Sequence, residues 1–313
     1  QLTYEMRQGR QKVVYTGTLN GDPFKLEGKP ANPRGIRVQG ETAGGAVDSL
    51  RRGGGGGFGL DGEAGEVGAA GVVFMSTRPR GLLYRHINIV NAKLDSIPSA
   101  LAAREDAQRI LRLIEAGEKV HMSLSLPNVT GGPFQARNVV AEIEGGELPD
   151  EIVVVGAHLD SWDLGTGCLD NGVNVSLVIE VARGLIASGA RPRRTVRFVL
   201  FGGEEQGLVG SQAYVRQHRG ELDSHVAVVV HDMGVGRMEG YSLGGRRDIE
   251  HGLMRAMQPV AGRGANAHSY EAFFGSDHFD FLLEGVPALV ALQDTSEYVL
   301  TYHSSADTFD KVN

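Results

Sequence analysis

An unbroken apolar run at residues 152–155 (IVVV) constrains the fold of this chain more than any other sequence feature. A run of β-branched residues is typical of a strand buried on both faces, as in a parallel sheet covered by helices. His158 and Asp160 follow this run, and Asp170 follows a glycine-containing loop. Because open α/β sheets bind ligands at the carboxyl ends of their strands, these side chains indicate a candidate site. Imidazole and carboxylate groups together suit a divalent metal ion such as zinc.

The same pattern, an apolar strand followed by a residue type that binds metal ions, recurs further along the chain. Helices are predicted between these strands because apolar residues recur there at helical spacing. Alternating strands and helices predict an α/β fold with a mostly parallel mixed sheet. We also predict that residues 138–144 pair with the strand at 151–158 across a turn. The other predicted strands are 195–201, which leads to Glu204 and Glu205, 225–231, which leads to Asp232, and 287–293, which leads by a loop to Tyr302 and His303; the predicted helices are 173–188, 209–218 and 249–261.

Residues 1–127 are predicted to form a smaller α+β domain and residues 128–313 a larger one. The stretch 128–133 (NVTGGP) at this boundary has the composition of a linker. A helix is predicted at 102–116, because its apolar residues recur on one face. The strands predicted in this domain are 12–17, 35–38, 71–75 and 119–126.

Composition and charge exclude several classes of function. The formal net charge of −7 and the pI near 5.8 disfavour nucleic acid and anionic membranes as main partners. No apolar run approaches the length of about 18 residues that suggests a membrane span. The single cysteine, Cys168, excludes an internal disulfide and a cysteine-based zinc site. The chain begins at Gln1 without a methionine, so we expect that an upstream part is missing.

Each candidate ligand alone has an ordinary structural interpretation. An aspartate at a strand end is commonly a turn or helix-cap residue, and a Glu–Glu pair is commonly solvated. Their joint placement at several strand ends favours a metal site instead, because catalytic sites gather ligands from distant segments. Two divalent cations about 3.5–4 Å apart can share one bridging carboxylate and one water. We predict Asp170 as this bridge, with His158 and Asp232 on one metal ion and Glu205 and His303 on the other.

Two further carboxylates are predicted to act beside these ligands. Glu204 is adjacent to Glu205 in the sequence, so its side chain would lie near the shared water and could take its proton as a general base. Asp160 lies two residues beyond His158 and is predicted to orient the imidazole of that ligand.

These residues lie in motifs that together resemble metallopeptidase family twenty-eight, whose members are cocatalytic zinc exopeptidases. The resemblance is closest to the plasma glutamate carboxypeptidase branch, in which the first motif occurs together with a long inserted protease-associated domain. It covers residues 136–313 strongly and residues 60–126 weakly. The motifs are HLDSWD (158–163), DNG (170–172), FGGEEQGLVGS (201–211), HDMG (231–234), GSDH (275–278) and YHSSADT (302–308).

The resemblance implies a three-layer zinc-exopeptidase fold, two Zn²⁺ ions per chain, a peptide substrate and the ligand and base assignments given above. It also implies a cis peptide bond between Asp170 and Asn171. Tyr302 is a candidate hydrogen-bond donor to a developing oxyanion. Ser276 and Asp277 are candidates for contact with the substrate.

For the whole protein, the resemblance implies that residues 1–127 are a protease-associated-like domain and that the location is secreted or periplasmic. A homodimer is compatible with it. The sequence departs from the family pattern at Cys168, where a small residue such as Ala is usual, and at Asn174, where Gly is usual. Family members also continue into a helix beyond residue 313, and the first part of the peptidase domain is missing, so trimmed ends are expected.

Several alternatives stay open from the sequence alone. A related dizinc family, which includes carboxypeptidase G and the aminoacylases, uses a similar ligand order, but its members usually insert a dimerisation domain between the fourth and fifth ligands. The segment between Asp232 and His303 is too short for such a domain. A glutaminyl cyclase would keep the fold with one zinc ion, and a receptor-like ectodomain would keep it without catalysis. The choice among aminopeptidase, dipeptidase and carboxypeptidase is also open.

Overall fold

The structure is a computed structural model, and it falls into two compact units, Gln1–Gln135 and Ala136–Asn313. The residues described are 69–84, 98–127, 135–271 and 273–312, together with the backbone of residues 5–7, 10–14, 16–19, 22–25 and 129–130.

The first unit contains short strands and one described helix. The predicted helix is confirmed as α1, in which Ala107 is buried and Glu105 and Asp106 occupy the first turn, where acidic side chains are favourable. Among the described residues, β2 pairs with both β1 and β7, β3 pairs with β4, and β5 pairs with β6. The elements are β1 Glu5–Arg7, β2 Arg10–Val14, β3 Thr16–Leu19, β4 Asp22–Lys25, β5 Val72–Met75, β6 Ser99–Ala102, α1 Arg104–Glu115 and β7 Val129–Thr130.

Two of the strands predicted in this unit are not found among the described residues. The strand predicted at 119–126 is wrong, because that segment has no regular secondary structure. Its residues alternate as a half-buried strand would, but most of them are exposed and no neighbouring strand pairs with them among the described residues. The strand predicted at 35–38 lies outside the described residues.

The second unit is an α/β domain built on a six-stranded sheet in the order β12-β13-β11-β9-β10-β8. The four central strands are parallel, and the two edge strands run antiparallel to their neighbours, which confirms the mostly parallel mixed sheet. No helix of the described residues is both long and apolar enough to span a membrane. The elements are β8 Val139–Ile143, β9 Leu148–His158, α2 Val173–Ala187, β10 Arg194–Phe201, α3 Val209–Gln217, β11 His225–Val230, β12 Met238–Ser242, α4 Glu250–Met257, α5 His278–Leu283, β13 Ala288–Gln293 and α6 Tyr298–Thr301.

One predicted pairing is wrong. Strand β8 pairs with β10 and not with β9, in a register that places Val139 opposite Leu200. Both neighbours of β9 are parallel strands, β10 and β11, so β9 lies inside the sheet and β8 becomes an edge. The exposed side chains of Val139 and Val140 are consistent with that edge position.

The apolar run at residues 152–155 contributes side chains to two hydrophobic cores, one on each face of the sheet. Val154 packs into a core with Val199 and Phe281, on the side of the sheet that α3 and α5 cover. The next residue, Val155, packs on the opposite side, against a core that includes Val178 of α2. A strand covered on both faces has no polar side to alternate with, which explains the unbroken run.

Candidate metal centre

The carboxyl edge of the sheet brings together the five predicted ligands, and all five are buried. His158 is the last residue of β9, and Asp170 lies in the turn that precedes α2. Glu205 and Asp232 lie just beyond β10 and β11, and His303 follows α6. Parallel strands end at the same edge, so residues far apart in the sequence meet there.

Asp170 stands between two histidines. Its Oδ1 atom lies 3.1 Å from His158 Nε2, and its Oδ2 atom lies 3.1 Å from His303 Nε2. A second carboxylate faces each imidazole, because Asp232 Oδ1 is 2.9 Å from His158 Nε2 and Glu205 Oε2 is 2.9 Å from His303 Nε2. The donor atoms therefore form two groups of three that share Asp170, and within each group the atoms lie within 4.8 Å of one another.

The donor set fits two divalent cations. Asp170 Oδ2 and Glu205 Oε1 are buried and lack a hydrogen-bond partner, although Asp170 Oδ2 is within ion-pair distance of His303. Buried polar atoms without partners are costly and rare, and a cation between these groups would satisfy them. Neutral imidazoles and ionised carboxylates are the ligands that zinc accepts in catalytic sites. Each group of three supplies one imidazole and two carboxylates.

The protein groups shift one another's pKa values strongly. Burial would lower the pKa of His303, but the adjacent carboxylates of Asp170 and Glu205 outweigh it and raise that pKa to about 9. Burial likewise opposes the charge of His158, yet Asp232 and Asp170 raise its pKa well above the ordinary value. Burial raises the pKa of Glu205 to about 7. Both imidazoles thus hold protons that a metal ion would displace.

Glu204 lies beside this ligand set, within the same 4.8 Å grouping as His158 and Glu205. Burial of its carboxylate raises its pKa well above the ordinary value, and the negative charge of Asp232 adds to the shift. A carboxylate with a raised pKa accepts a proton more readily than an ordinary one, and this is a property that a general base requires.

Asp160 contacts His158 in a way that differs from the prediction. The group that accepts from His158 Nδ1 is the backbone carbonyl of Asp160, at 2.9 Å, whereas the nearest carboxylate oxygen lies 3.8 Å away. The carboxylate instead accepts three successive backbone N–H groups, those of Gly203 at 2.8 Å, Glu204 at 3.0 Å and Glu205 at 3.1 Å. Asp160 therefore connects the first histidine to the loop that contains the general-base candidate.

The three predicted substrate residues occupy different surroundings. Tyr302 stacks on His303, with the ring centroids 3.6 Å apart. Ser276 and Asp277 are fully buried, and burial raises the pKa of Asp277 to about 7. Contact of these three residues with a substrate stays a prediction. Trp162, which the sequence analysis did not select, approaches His303 edge-on at 5.9 Å.

Sequence analysis also missed Asp307, whose carboxylate fixes the turn at Asp170. It accepts the backbone N–H of Leu169 at 2.7 Å and that of Asp170 at 3.1 Å. Asp307 belongs to the YHSSADT motif, four residues beyond His303, so the motif included it although no role was assigned. An acidic residue shortly after a ligand histidine, as with Asp160, is the sequence feature that could have identified it.

The backbone next to Asp170 has the form that the resemblance implied. The peptide bond between Asp170 and Asn171 is cis. The side chain of Asn171 donates to the carbonyl of His231 at 3.0 Å, and Asn174 donates to Asn171 Oδ1 at 2.6 Å. Asn174, one of the departures from the family pattern, is thus buried and hydrogen-bonded beside the site.

Fold and donor set together define a class, namely α/β proteins that hold divalent metal ions at the carboxyl edge of a parallel sheet. Comparison with known families makes the assignment narrower. The sequence profile of peptidase family M28 matches residues 138–313, which is more than half of the chain. The chain belongs to peptidase family M28, and the resemblance noted from the motifs is confirmed.

Individual relatives agree with this assignment. Carboxypeptidase Q of Xenopus laevis is 32% identical over 252 residues, which cover 79% of this chain and 53% of that protein. A peptidase M28 precursor from Shewanella amazonensis superposes with a TM-score of 0.77 at 27% identity, over 97% of this chain and 74% of the other. A zinc aminopeptidase from Bacillus subtilis shares the fold, with a TM-score of 0.62 at 20% identity over 97% of this chain and 75% of the other.

The chain spans about half the length of the carboxypeptidase Q sequences that it matches. Family membership separates it from the aminoacylase-type family that the sequence analysis left open. The activity is a separate question.

Proposed function

We propose that this chain is the catalytic part of a dizinc exopeptidase that hydrolyses the peptide bond of dipeptides or short peptides. The observation that supports this most is the position of Asp170, whose two oxygens each face one buried histidine. A carboxylate placed in this way can be shared by two metal ions. The names of the relatives, a carboxypeptidase and a zinc aminopeptidase, support the same reaction class.

The residues that would hold the two zinc ions follow from the two groups of donor atoms. His158 and Asp232 would bind one ion, Glu205 and His303 the other, and Asp170 both. Bound zinc supplies Lewis-acid chemistry, which lowers the pKa of water and polarises a carbonyl group. The protein supplies the position of each ligand, and the carbonyl of Asp160 fixes the orientation of His158 through its Nδ1 atom.

Glu204 would act as the general base. It takes a proton from the attacking water while the new C–O bond forms, and it passes that proton to the amine as the C–N bond breaks. Its raised pKa favours holding the proton between these steps. The hydroxyl of Tyr302, on the residue next to His303, would donate a hydrogen bond to the oxyanion that develops on the carbonyl oxygen.

Within this reaction class we propose an aminopeptidase or dipeptidase, since the Bacillus subtilis protein of the same fold is named a zinc aminopeptidase. The carboxylates of Asp232 and Glu205 give no further support for this choice, because bound zinc would offset their charges.

Three statements about the whole protein belong to the same proposal. The first unit would be a protease-associated-like domain, the location would be secreted or periplasmic, and a homodimer is the assembly compatible with the family resemblance. These statements rest on the resemblance alone.

The proposal is tested by metal content and substrate profile together. Purified protein should contain about two zinc ions per chain, chelation should abolish peptidase activity, and zinc should restore it. Free dipeptides should be hydrolysed, whereas the same dipeptides with an acetylated amino group should not. Acetylated dipeptides cleaved faster than free ones would contradict the preference for a free amine. A folded, zinc-loaded protein that cleaves neither would contradict the peptidase assignment.

A further inference from the structure

We propose that Asn138 is a positioning residue for Glu204, and that together with Asp160 it fixes the loop that contains both Glu204 and Glu205. The inference rests on the proposed function, because it assigns a second-layer residue to the same reaction. Its basis is the set of hydrogen bonds made by the backbone of this loop, defined here as residues 202–210 and called the base loop.

Side chains from two distant segments bind four successive amides of the base loop. The Oδ1 atom of Asn138 accepts the N–H of Gly202 at 3.0 Å. The carboxylate of Asp160 accepts the next three, those of residues 203, 204 and 205. The loop thus leaves β10 without strand or helix hydrogen bonds at these amides, and side chains determine its path.

Asn138 also binds the far end of the base loop. Its Nδ2 atom donates to the carbonyl of Gly210 at 2.9 Å, so one side chain joins the start of the loop to the first turn of α3. The amide group uses its acceptor for one bond and a donor for the other, and an aspartate or leucine of similar shape could not make both. Asn138 therefore determines the distance between the two ends of the loop.

The backbone around the Asn138 side chain, where the two ends of the base loop meet, is closely packed. A Cβ atom on Gly210 would lie 2.5 Å from the carbonyl oxygen of Gly202 and 2.6 Å from Asn138 Oδ1. A Cβ atom on Gly202 would lie 2.7 Å from the carbonyl oxygen of Arg137. Because this space is filled, a change in the Asn138 side chain should shift the base loop rather than leave a cavity.

The position of Asn138 comes from the sheet. It immediately precedes β8, and the pairing of Val139 with Leu200 places Asn138 beside the end of β10. The edge strand, whose pairing the sequence analysis assigned to the wrong neighbour, thus brings this side chain to the base loop. A shift of the base loop would displace Glu204, and a displacement of about 1 Å in a reacting group can lower a rate about 100-fold.

Thr195, at the amino end of β10, offers a matched control, because Asn138 lies beside the carboxyl end of that strand. The hydroxyl of Thr195 accepts the N–H of Gly145 at 3.1 Å and donates to the carbonyl of Pro149 at 2.7 Å. It therefore makes the same kinds of bonds as Asn138, one accepted and one donated, at the amino end of β10. Thr195→Val keeps the shape and removes both bonds away from the site.

The experiment compares Asn138→Leu, Asn138→Asp and Thr195→Val with the wild type, all loaded with zinc. We expect Asn138→Leu to lower kcat about 10- to 100-fold, with KM within about threefold and zinc content unchanged. Asn138→Asp keeps the acceptor for Gly202 and should be intermediate. Thr195→Val should lose stability to a similar degree and keep kcat within about twofold of the wild type.

A second readout does not depend on activity. Amide hydrogen exchange, followed by mass spectrometry, should accelerate in peptides that cover residues 202–210 of Asn138→Leu, and not in the same peptides of Thr195→Val. If Asn138→Leu folds and exchanges like the wild type, or loses stability with kcat within twofold, Asn138 is only a structural residue and the inference is wrong. If Asn138→Leu does not fold, the same criteria apply to Asn138→Asp. An inactive wild type would contradict the proposed function, while the exchange rates would still decide whether Asn138 holds the base loop.

Discussion

Two polar clusters lie on the same sheet, and they differ in how their charges are balanced. One is the metal-ligand cluster at the carboxyl edge. The other surrounds Arg197, which lies in the amino half of β10 and is almost fully buried. Both clusters contain buried ionisable groups, and isolated charge is strongly unfavourable in such surroundings.

The Arg197 cluster balances its charges with protein groups. The guanidinium donates to Glu142 at 2.5 Å, to Glu221 at 2.6 Å and to the hydroxyl of Tyr214 at 2.6 Å. Burial opposes its charge, but these partners raise the pKa of Arg197 further above its ordinary value. Tyr214 in turn hydrogen-bonds His225 at 3.1 Å, so each of these five groups has a partner within the protein.

The cluster at the carboxyl edge does not reach such a balance. Carboxylates outnumber imidazoles there, and Asp170, Glu205 and Asp277 each keep a buried oxygen without a hydrogen-bond partner. The pKa values of Glu205 and Asp277 are raised to about 7, primarily by burial. The two clusters therefore differ in that Arg197 neutralises its carboxylate partners, whereas the carboxyl-edge cluster has buried carboxylates whose charge a bound metal ion would offset.

The largest expected effect separates the general base from a ligand inside the metal-ligand cluster. Glu204→Gln should lower kcat by about 10²–10⁴-fold and keep both zinc ions, because an amide of the same shape cannot take a proton. Glu205→Gln should lose zinc as well as rate, because it removes a ligand. Zinc content and kcat measured side by side decide this, and the reverse pattern would show that base and ligand have been exchanged.

Removing the metal should lower the stability of the protein in a pH-dependent way, through the metal-ligand cluster. The pKa values of His303 and Glu205 are raised to about 9 and about 7 in the folded protein. A group whose pKa is raised by folding stabilises below its unfolded value, near 6.5 for His and 4.3 for Glu, and this stabilisation is lost as pH rises through the folded value. Zinc-free protein should therefore lose stability between about pH 6.5 and 9 as His303 gives up its proton.

Zinc should reverse this trend, because its binding displaces protons and strengthens as pH rises. At a free zinc concentration 100 times the dissociation constant, the gain is about 2.7 kcal/mol. Thermal unfolding with zinc and with chelator, from pH 6 to 9, should show a gap in Tm that widens with pH. A gap that narrows would contradict the assignment of His303 as a ligand.

The Arg197 cluster should respond to mutation in stability and not in metal content. Arg197→Met removes charged hydrogen bonds to Glu142 and Glu221, and both carboxylates are exposed enough to regain water. We expect a loss of about 1.5–3 kcal/mol in the free energy of unfolding, the usual range for hydrogen bonds to charged groups. Denaturant unfolding of zinc-loaded protein measures this. Loss of zinc in Arg197→Met would show that the two clusters are coupled.

The smallest effect is expected at Cys168, which we predict is not a metal ligand. Its thiol lies 3.3 Å from the Thr166 hydroxyl and belongs to none of the groups of potential metal donors found among the described residues. Cys168→Ala should leave zinc content and kcat unchanged and alter stability by less than about 1 kcal/mol. Metal analysis is the measurement, and one zinc ion fewer per chain would place the thiol among the ligands.

Local patterns in the sequence were sufficient for much of the second unit. The apolar runs predicted β9, β10, β11 and β13, and the residues at their ends gave the five candidate ligands, because strand burial and ligand placement both depend on nearby residues. The partner of β8 was not predictable in this way, since pairing depends on which strand lies beside it in space. Strand β12 and helix α5 were missed because they are short and lack a strong periodic pattern.

The supporting residues were the least predictable part of the site. The sequence showed that Asp160 follows a histidine, but the groups that donate to its carboxylate are backbone amides 43–45 residues away. The same holds for Asp307, whose partners are backbone groups with no side-chain signature. A backbone amide can donate a hydrogen bond whatever its side chain is, so the sequence does not indicate which residue is the partner. Only the fold identifies that partner.

The contact between Asp307 and the Asp170 turn also has a consequence for biosynthesis. The two residues are separated by 137 positions, and His303 comes from the same late segment as Asp307. During translation the segments that contain His158, Glu205 and Asp232 leave the ribosome first, and domains fold as their segments emerge. A nascent chain that ends before this segment lacks one histidine ligand and the support of the bridging carboxylate. Under the proposed function, hydrolytic competence is therefore acquired only after synthesis has passed this segment.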